Sequence, residues 1–253
     1  MQVSVLASGS KGNSIFIEMD GTRILIDAGI SVRRIKQELA ACGQDIAELD
    51  GIFITHEHSD HISGLANLSK RYKIPVFSRP DTFRMMSCYR ELPFEAIHAI
   101  SDSIRLGKVS VKAFSIPHDA ADPVGYSVCG SRKCTVATDL GFVTESVGQA
   151  IEGSHVLVLE ANHDVGMVRN GPYPWPLKQR ILGNRGHLAN DTAGWALTRM
   201  KQRPEYVFLA HLSDTNNRPE LAMEAVRNIL EQQGSGNIRL VMTAPKEAVS
   251  IEL

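Results

Sequence analysis

Four cysteines in 253 residues, with no Cys-x-x-Cys pair among them, leave neither a disulfide framework nor a thiolate zinc knuckle. Cys129 and Cys134 flank the turn Gly130–Lys133 and can face each other across a hairpin, but so sparse a set reads as free thiols in a reducing compartment. No apolar run approaches the ~18 residues needed to cross a bilayer, which argues against a membrane partner. The N-terminal Met1–Ala7 has no basic run ahead of its apolar residues and breaks at once into a polar turn, so it reads as a strand and not as a secretion signal. Together these shortages place the protein in the cytoplasm. Charge of one sign is missing too: a net charge of −1 gives no overall pull on nucleic acid, so any such binding must come from a local patch. Low-complexity and linker-like stretches are absent, and one domain, 1–253, with a large core is expected.

Chemistry is concentrated in Gly51–His61. Four β-prone residues are followed, within six positions, by three imidazoles and two carboxylates, and then by the apolar-patterned segment Ile62–Tyr72. That order reads as strand, liganding turn, helix. In an extended turn side chains alternate, so His56 and His58 can point one way while Asp60 and His61, at the head of the helix, face a neighbouring point. Imidazole nitrogen and carboxylate oxygen suit zinc, and also manganese or iron. One histidine in a loop would mean little; three with an aspartate directly after a buried strand point to a metal site.

Along the rest of the chain, Val3–Ala7, Ser14–Met19 and Thr22–Asp27 read as strands, the last two joined by the hairpin signal Asp20-Gly21. Between the first two lies Ser8-Gly9-Ser10-Lys11-Gly12-Asn13, either an anion cradle or a plain tight turn. A helix capped by Ser31 runs to about Cys42. Ile74–Phe77, the hairpin Ile104–Leu106 with Val109–Phe114, the hairpin Val124–Cys129 with Cys134–Ala137, His155–Glu160, Tyr206–Ala210 and Ile238–Met242 are the further strands. Asp81–Tyr89, Val143–Ile151, Asn190–Met200 (capped by Asn190 or Asp191) and 219–232 are helices. His118, Asp139 and His211 are each released at or just past the end of an apolar strand, where sheets present catalytic groups. His98 and His155 sit at strand starts and read as structural. Strands and helices alternate in two similar halves, which fits an α/β fold of four layers, an αββα sandwich.

The spacing His-x-His-x-Asp-His resembles the signature of the metallo-β-lactamase-fold hydrolases. The text around it, Leu-Ala-Ser-Gly-Ser-Lys-Gly-Asn-Ser (6–14), Glu-Ala-Asn-His-Asp (160–164) and His-Leu-Ser-Asp-Thr-Asn-Asn-Arg-Pro-Glu (211–220), is similar to the WalJ/YycJ group of bacterial exonucleases, and the likeness runs nearly end to end. The resemblance implies two divalent ions, Zn2+ or Mn2+: one on His56, His58 and His118, the other on Asp60, His61 and His211, with Asp139 between them. Such a pair acidifies a water and steadies the oxygens of an in-line phosphoryl displacement, and Asp60 is placed to accept the water's proton. In relatives such as tRNase Z a glutamate and a histidine relay a proton to the leaving oxygen, a role that carries over to Glu160 and His187; on chemistry alone they read equally as a supporting acid and a helix-capping histidine. His163 stands either behind the ligands or facing substrate. The resemblance also moves Ser8, Ser10 and Asn13 to the rim of the active site.

Substrate class rests on 164–187. Arg169, Lys178, Arg180 and Arg185 face one acid, Asp164, with Tyr173 and Trp175 interleaved among prolines. Cations for phosphates and rings for stacking make a nucleic-acid lip, although Pro-Tyr-Pro-Trp-Pro can equally be a stiff loop packed on the core. Ser213 and Asn217, just past His211 and before a helix, can grip a terminal phosphate or simply cap the helix. The resemblance implies a DNA exonuclease working from a 5′ end, with a part in DNA repair. A thioester or lactone hydrolase on the same ions is the alternative; diiron relatives are expected to carry glutamate where His58 stands, which favours hydrolysis over redox chemistry.

Overall fold

Apolar residues alternate along some strands and run unbroken along others, and the tertiary structure shows why. A computed structural model describes residues 1–253. In chain order, β1 (Gln2–Ala7), β2 (Ser14–Met19), β3 (Thr22–Ile26), β4 (Gly51–Phe53), β5 (Val76–Ser78) and β6 (Ile97–Ala99) build one sheet. A second sheet takes β7 (Ser103–Leu106), β8 (Val109–Ser115), β9 (Val124–Cys129), β10 (Lys133–Ala137), β11 (Val156–Glu160), β12 (Tyr206–Ala210) and β13 (Arg239–Met242). Finally β14 (Val249–Glu252) returns to the first and pairs antiparallel with β1.

The sheets repeat one plan: β14-β1-β2-β3 is antiparallel and continues as parallel β3-β4-β5-β6, while β7-β8-β9-β10 is antiparallel and continues as parallel β10-β11-β12-β13. Ile24 and Ile26 turn to the inter-sheet core, where they join Tyr126, Val156, Val158 and Phe208. Their neighbours Leu25, Leu157 and Leu159 turn outward beneath helices. β11 is therefore buried on both faces, which explains its unbroken apolar run. On the first sheet lie α1 (Val32–Ala41), α2 (Ser59–Ile62), α3 (Leu65–Tyr72) and α4 (Pro80–Met85). The second half adds α5 (Glu145–Ile151), α6 (Val165–Asn170), α7 (Trp175–Leu182), α8 (Asn190–Thr198) and α9 (Pro219–Gln232). Helix, sheet, sheet, helix is the expected αββα order. No helix is long and apolar enough to cross a membrane.

Several local expectations need correction. The helix expected over Ile62–Tyr72 breaks at Gly64, whose N–H donates to Ala28 O, so that α2 is a single turn pinned to the end of β3. Strand β14 is a further strand, only four residues long with a half-exposed pattern. Neither Asn190 nor Asp191 caps α8: the cap is Ala189, because the Asn190 amide is spent on a reciprocal pair with Asn217. The Pro-rich 171–176 leads into α7, whose first turn tolerates Pro176 because those N–H groups lack intrahelical partners anyway. All four cysteines are free, and the hairpin register pairs Cys134 with Val128 and Cys129 with Lys133, so the two thiols do not face each other.

Candidate metal centre

Three site residues share an uncommon backbone. Asp27 after β3, Asp139 just past β10 and His211 after β12 have φ of 61°, 61° and 58°. Left-handed conformations of this kind cost roughly 1–3 kcal/mol outside glycine and persist only where surroundings impose them. Here they turn a side chain out of the strand direction into the seam where the two sheets meet. The turns before β2 and after β3 also buttress the liganding turn: Asn13 N and Ala28 N donate to Asp60 O and His61 O at 2.8 Å each. Gly29 lies so close beneath that a Cβ there would meet Asp60 O at 1.7 Å, so this position requires glycine.

Around the seam the imidazoles and carboxylates gather as two adjoining sets. His56, His58 and His118 form one, and Asp60, His61 and His211 the other, their ligand atoms in each set within 4.8 Å of one another. His56 Nε2 and His58 Nδ1 stand 3.0 Å apart. Asp139 lies between the sets: Oδ1 is 3.7 Å from His118 Nε2, and Oδ2 is 3.5 Å from His61 Nε2. His56 and His61 are fully buried, and His118, Asp139 and His211 nearly so. Asp139 Oδ2 and His211 Nε2 have no hydrogen-bond partner although no solvent reaches them. A buried carboxylate oxygen and ring nitrogen left unpaired carry a desolvation cost, and both are the atom types a divalent ion of the zinc or manganese kind accepts. The donor set fits such ions.

Behind these atoms stand carboxylates that orient the rings. Glu160, fully buried at the end of β11, presents Oε1 to His187 Nδ1 and His211 Nδ1 at 2.8 Å each, while Oε2 accepts the N–H groups of Leu140 and Leu188. On the other side Asp27 accepts from Thr55 N and Thr55 Oγ1 at 2.9 Å each, and its Oδ2 lies 2.8 Å from His61 Nδ1. With each Nδ1 on a carboxylate, the Nε2 atoms of His61 and His211 face the centre. Burial alone would lower His211, but the charge of Asp139, the Asp60 carboxylate 3.7 Å from Nε2 and the bond to Glu160 outweigh it and raise it to about 10. His187 is raised likewise: burial lowers it, and the charge and hydrogen bond of Glu160 prevail. Burial would raise Asp60, yet the His211 and His61 rings, 3.7 and 3.3 Å from Oδ2, hold it well below the carboxylate range. His56 goes the other way, lowered by burial and then by the neighbouring His61 and His118.

The structure thus brings His56, His58, Asp60, His61, His118, Asp139 and His211 together and adds Glu160 and His187. His98 stacks on Phe77, and the Nδ1 of His155 accepts Lys133 N; both lie outside the cluster. Three expected substrate contacts have side chains that are buried and engaged inside the protein. Ser8 Oγ accepts His211 N, the Asn13 amide bonds Gly9 N and Asp60 Oδ2, and Asn217 Nδ2 donates to Ala161 O. They hold ligands and turns instead of facing the cleft. His163 is also buried, its Nδ1 unpaired, and borders no cavity at the site. Ser10, Arg185 and Ser213 do open to the cleft. Asp27, Thr55 and Asn162, whose Nδ2 donates to His211 O at 2.7 Å, were not anticipated. The signal for Asp27 was present: like Asp139, it is a carboxylate released at the end of an apolar strand.

Known proteins resemble this chain in sequence and fold. Residues 22–212 match the family described as Beta-lactamase superfamily domain. The chain is 37% identical over 241 residues to exodeoxyribonuclease YycJ of Bacillus anthracis, spanning 93% of this chain and 91% of that protein. It is 35% identical over 258 residues to exodeoxyribonuclease WalJ of Streptococcus pneumoniae, spanning 98% and 96%. The crystal structure of the metallo-β-lactamase fold protein YhfI from Bacillus subtilis superposes with a TM-score of 0.75 over 98% of each chain at 13% identity, a likeness of fold alone.

Proposed function

Because the chain belongs to the β-lactamase superfamily and is a metal-dependent hydrolase of that fold, we propose that it is a phosphodiesterase that shortens DNA exonucleolytically from a 5′ end. The observation that carries this reading is the meeting of ligands from both halves around Asp139, with the Glu160–His187 pair at its edge. In it His56, His58 and His118 would hold one ion, Asp60, His61 and His211 the second, and Asp139 both. When bound, such ions supply Lewis acidity for water activation and for the charge that develops on phosphoryl oxygens.

The chain's own groups divide the remaining work. Asp60, in the liganding turn, is the carboxylate placed to accept the water's proton. Glu160 fixes His187 through Nδ1, which leaves Nε2 free, and its charge raises the affinity of that ring for protons. His187 therefore serves as the donor to the leaving oxygen, a role worth about 10²–10⁴-fold in rate where geometry is right. The exposed Arg180 and the half-buried Tyr173 border the same mouth and suit a strand's phosphates and rings. The identity of two relatives that span more than nine-tenths of the chain and are named exodeoxyribonucleases supports DNA as the substrate.

The test is purified protein stripped of metal, reloaded with manganese or zinc, and given DNA and RNA labelled at either end. Stepwise loss from the 5′ end of DNA, silenced by a chelator, is expected. Turnover of a thioester or lactone with DNA left intact would replace this reading with the small-molecule hydrolase.

A further inference from the structure

Two chambers open side by side at the mouth of the centre, and they differ in charge. One, about 180 Å³, is the metal chamber, lined by His58, Asp60, Asp139 and His211 among others. Its neighbour, about 210 Å³, shares Ser10, His118, Arg180 and His187 with it but has no carboxylate in its wall. Arg185 stands at the rim of this second chamber, exposed and paired with no acid, whereas Arg180 is already bound to Asp119 at 3.2 Å. Tyr173, Leu177 and Ile181 give it one apolar side, and Ser10 and Ser213 put hydroxyls on the other.

The apolar side is fastened to the metal ligands. A Cβ on Gly186 would lie 2.2 Å from both Arg180 O and Ile181 O, so the end of α7 is seated directly on that residue. The Gly186 carbonyl in turn lies 3.3 Å from His118 Nδ1. At about 210 Å³ the chamber is below the ~300–1,000 Å³ of sites for drug-sized ligands, so it has room for one nucleoside-sized unit and none for a duplex.

We infer that this acid-free chamber seats the terminal nucleotide of the strand, its end phosphate on Arg185 and its ring against Tyr173 and Leu177, which sets the first internucleotide linkage over the metal ligands. The inference rests on the nuclease reading above and adds a substrate requirement, a phosphorylated 5′ end. A phosphate is better matched than a hydroxyl because the wall offers cations and hydroxyl donors and no opposing charge.

The experiment uses metal-loaded protein and two single-stranded DNA oligonucleotides that differ only in a 5′-phosphate or 5′-hydroxyl, each labelled at the 3′ end. The phosphorylated strand should be cut with kcat/KM higher on the order of ten- to a hundred-fold, as expected for one charge-assisted contact, with most of the gain in KM. Arg185→Ala should erase the preference, and Arg185→Lys, which keeps the charge without the planar fork, should restore part of it. Tyr173→Ala should raise KM for both strands. Thermal melting of each variant separates misfolding from lost recognition. Equal cutting of both strands by the wild type, or an undiminished preference in Arg185→Ala, overturns the chamber and leaves the nuclease reading standing. Failure to cut either strand overturns both.

Discussion

In the first half of the molecule one turn, His56–His61, delivers four candidate ligands, whereas the second half delivers His118, Asp139 and His211 singly, from just beyond β8, β10 and β12. The first set owes its geometry largely to local spacing: the strand-turn-helix path puts His56 beside His58 and His61 beside Asp60, and Asn13, Ala28 and Gly29 brace it. The second set is up to 93 residues apart in sequence and meets only because β8, separated from β10 by the antiparallel β9, runs the same way as the parallel β10, β11 and β12. Behind both sets the solution is the same. Asp27 steadies the first half through His61 Nδ1, and Glu160 the second through His211 Nδ1. The difference lies in what else each carboxylate holds, since Asp27 serves Thr55 and one ring while Glu160 serves two rings.

The largest effect is expected where the halves join. Asp139→Ala should abolish hydrolysis of a phosphodiester and lower the metal content measured by atomic emission, with a loss beyond the roughly 10- to 100-fold that an outer partner costs. Next comes Glu160→Gln, which loosens His211 and His187 together; it should cost about 10²–10⁴-fold in kcat, the range of a lost proton donor, and flatten the alkaline limb of the pH–rate profile. A smaller loss is expected for Asp27→Asn, about 10- to 100-fold in metal affinity with kcat restored by excess metal. If Asp27→Asn and Glu160→Gln behave alike in excess metal, the two carboxylates have the same role and the contrast between the halves fails.

The mildest test is pH. His211, raised to about 10, carries an extra proton at neutral pH in the metal-free protein and must release it to become a ligand. Metal affinity should therefore climb between pH 7 and 9, and calorimetry in two buffers of different ionisation enthalpy should register proton release. In the metal-free protein the same raised value contributes stability that is full below the unfolded value of about 6.5. That contribution fades as pH rises through about 10, so alkali should weaken the empty protein before the loaded one.

The strand-end placement of His118, Asp139 and His211 was legible because each follows an apolar run long enough to read. Asp27 carried the same signal, but nothing local says that its carboxylate lies behind His61. Ser8 and Asn217 carried a less specific one: hydroxyls and amides near a ligand look ready for substrate, and only the fold shows them buried and tied to His211 N and Ala161 O. Helix α7 escaped notice because prolines dominate its approach, and none of its residues is buried to leave an apolar stripe.

Sequence alone determined the liganding turn, the alternation of strands and helices in two similar halves, and the atom types available for metal, because spacing and hydrophobic period act over a few residues. Tertiary structure alone decided which carboxylate stands behind which imidazole and which polar groups face the cleft. It also decided that an acid-free chamber adjoins the metal chamber. Those depend on packing two sheets across one core, and burial and mutual distance between residues remote in sequence exist only once that packing is made.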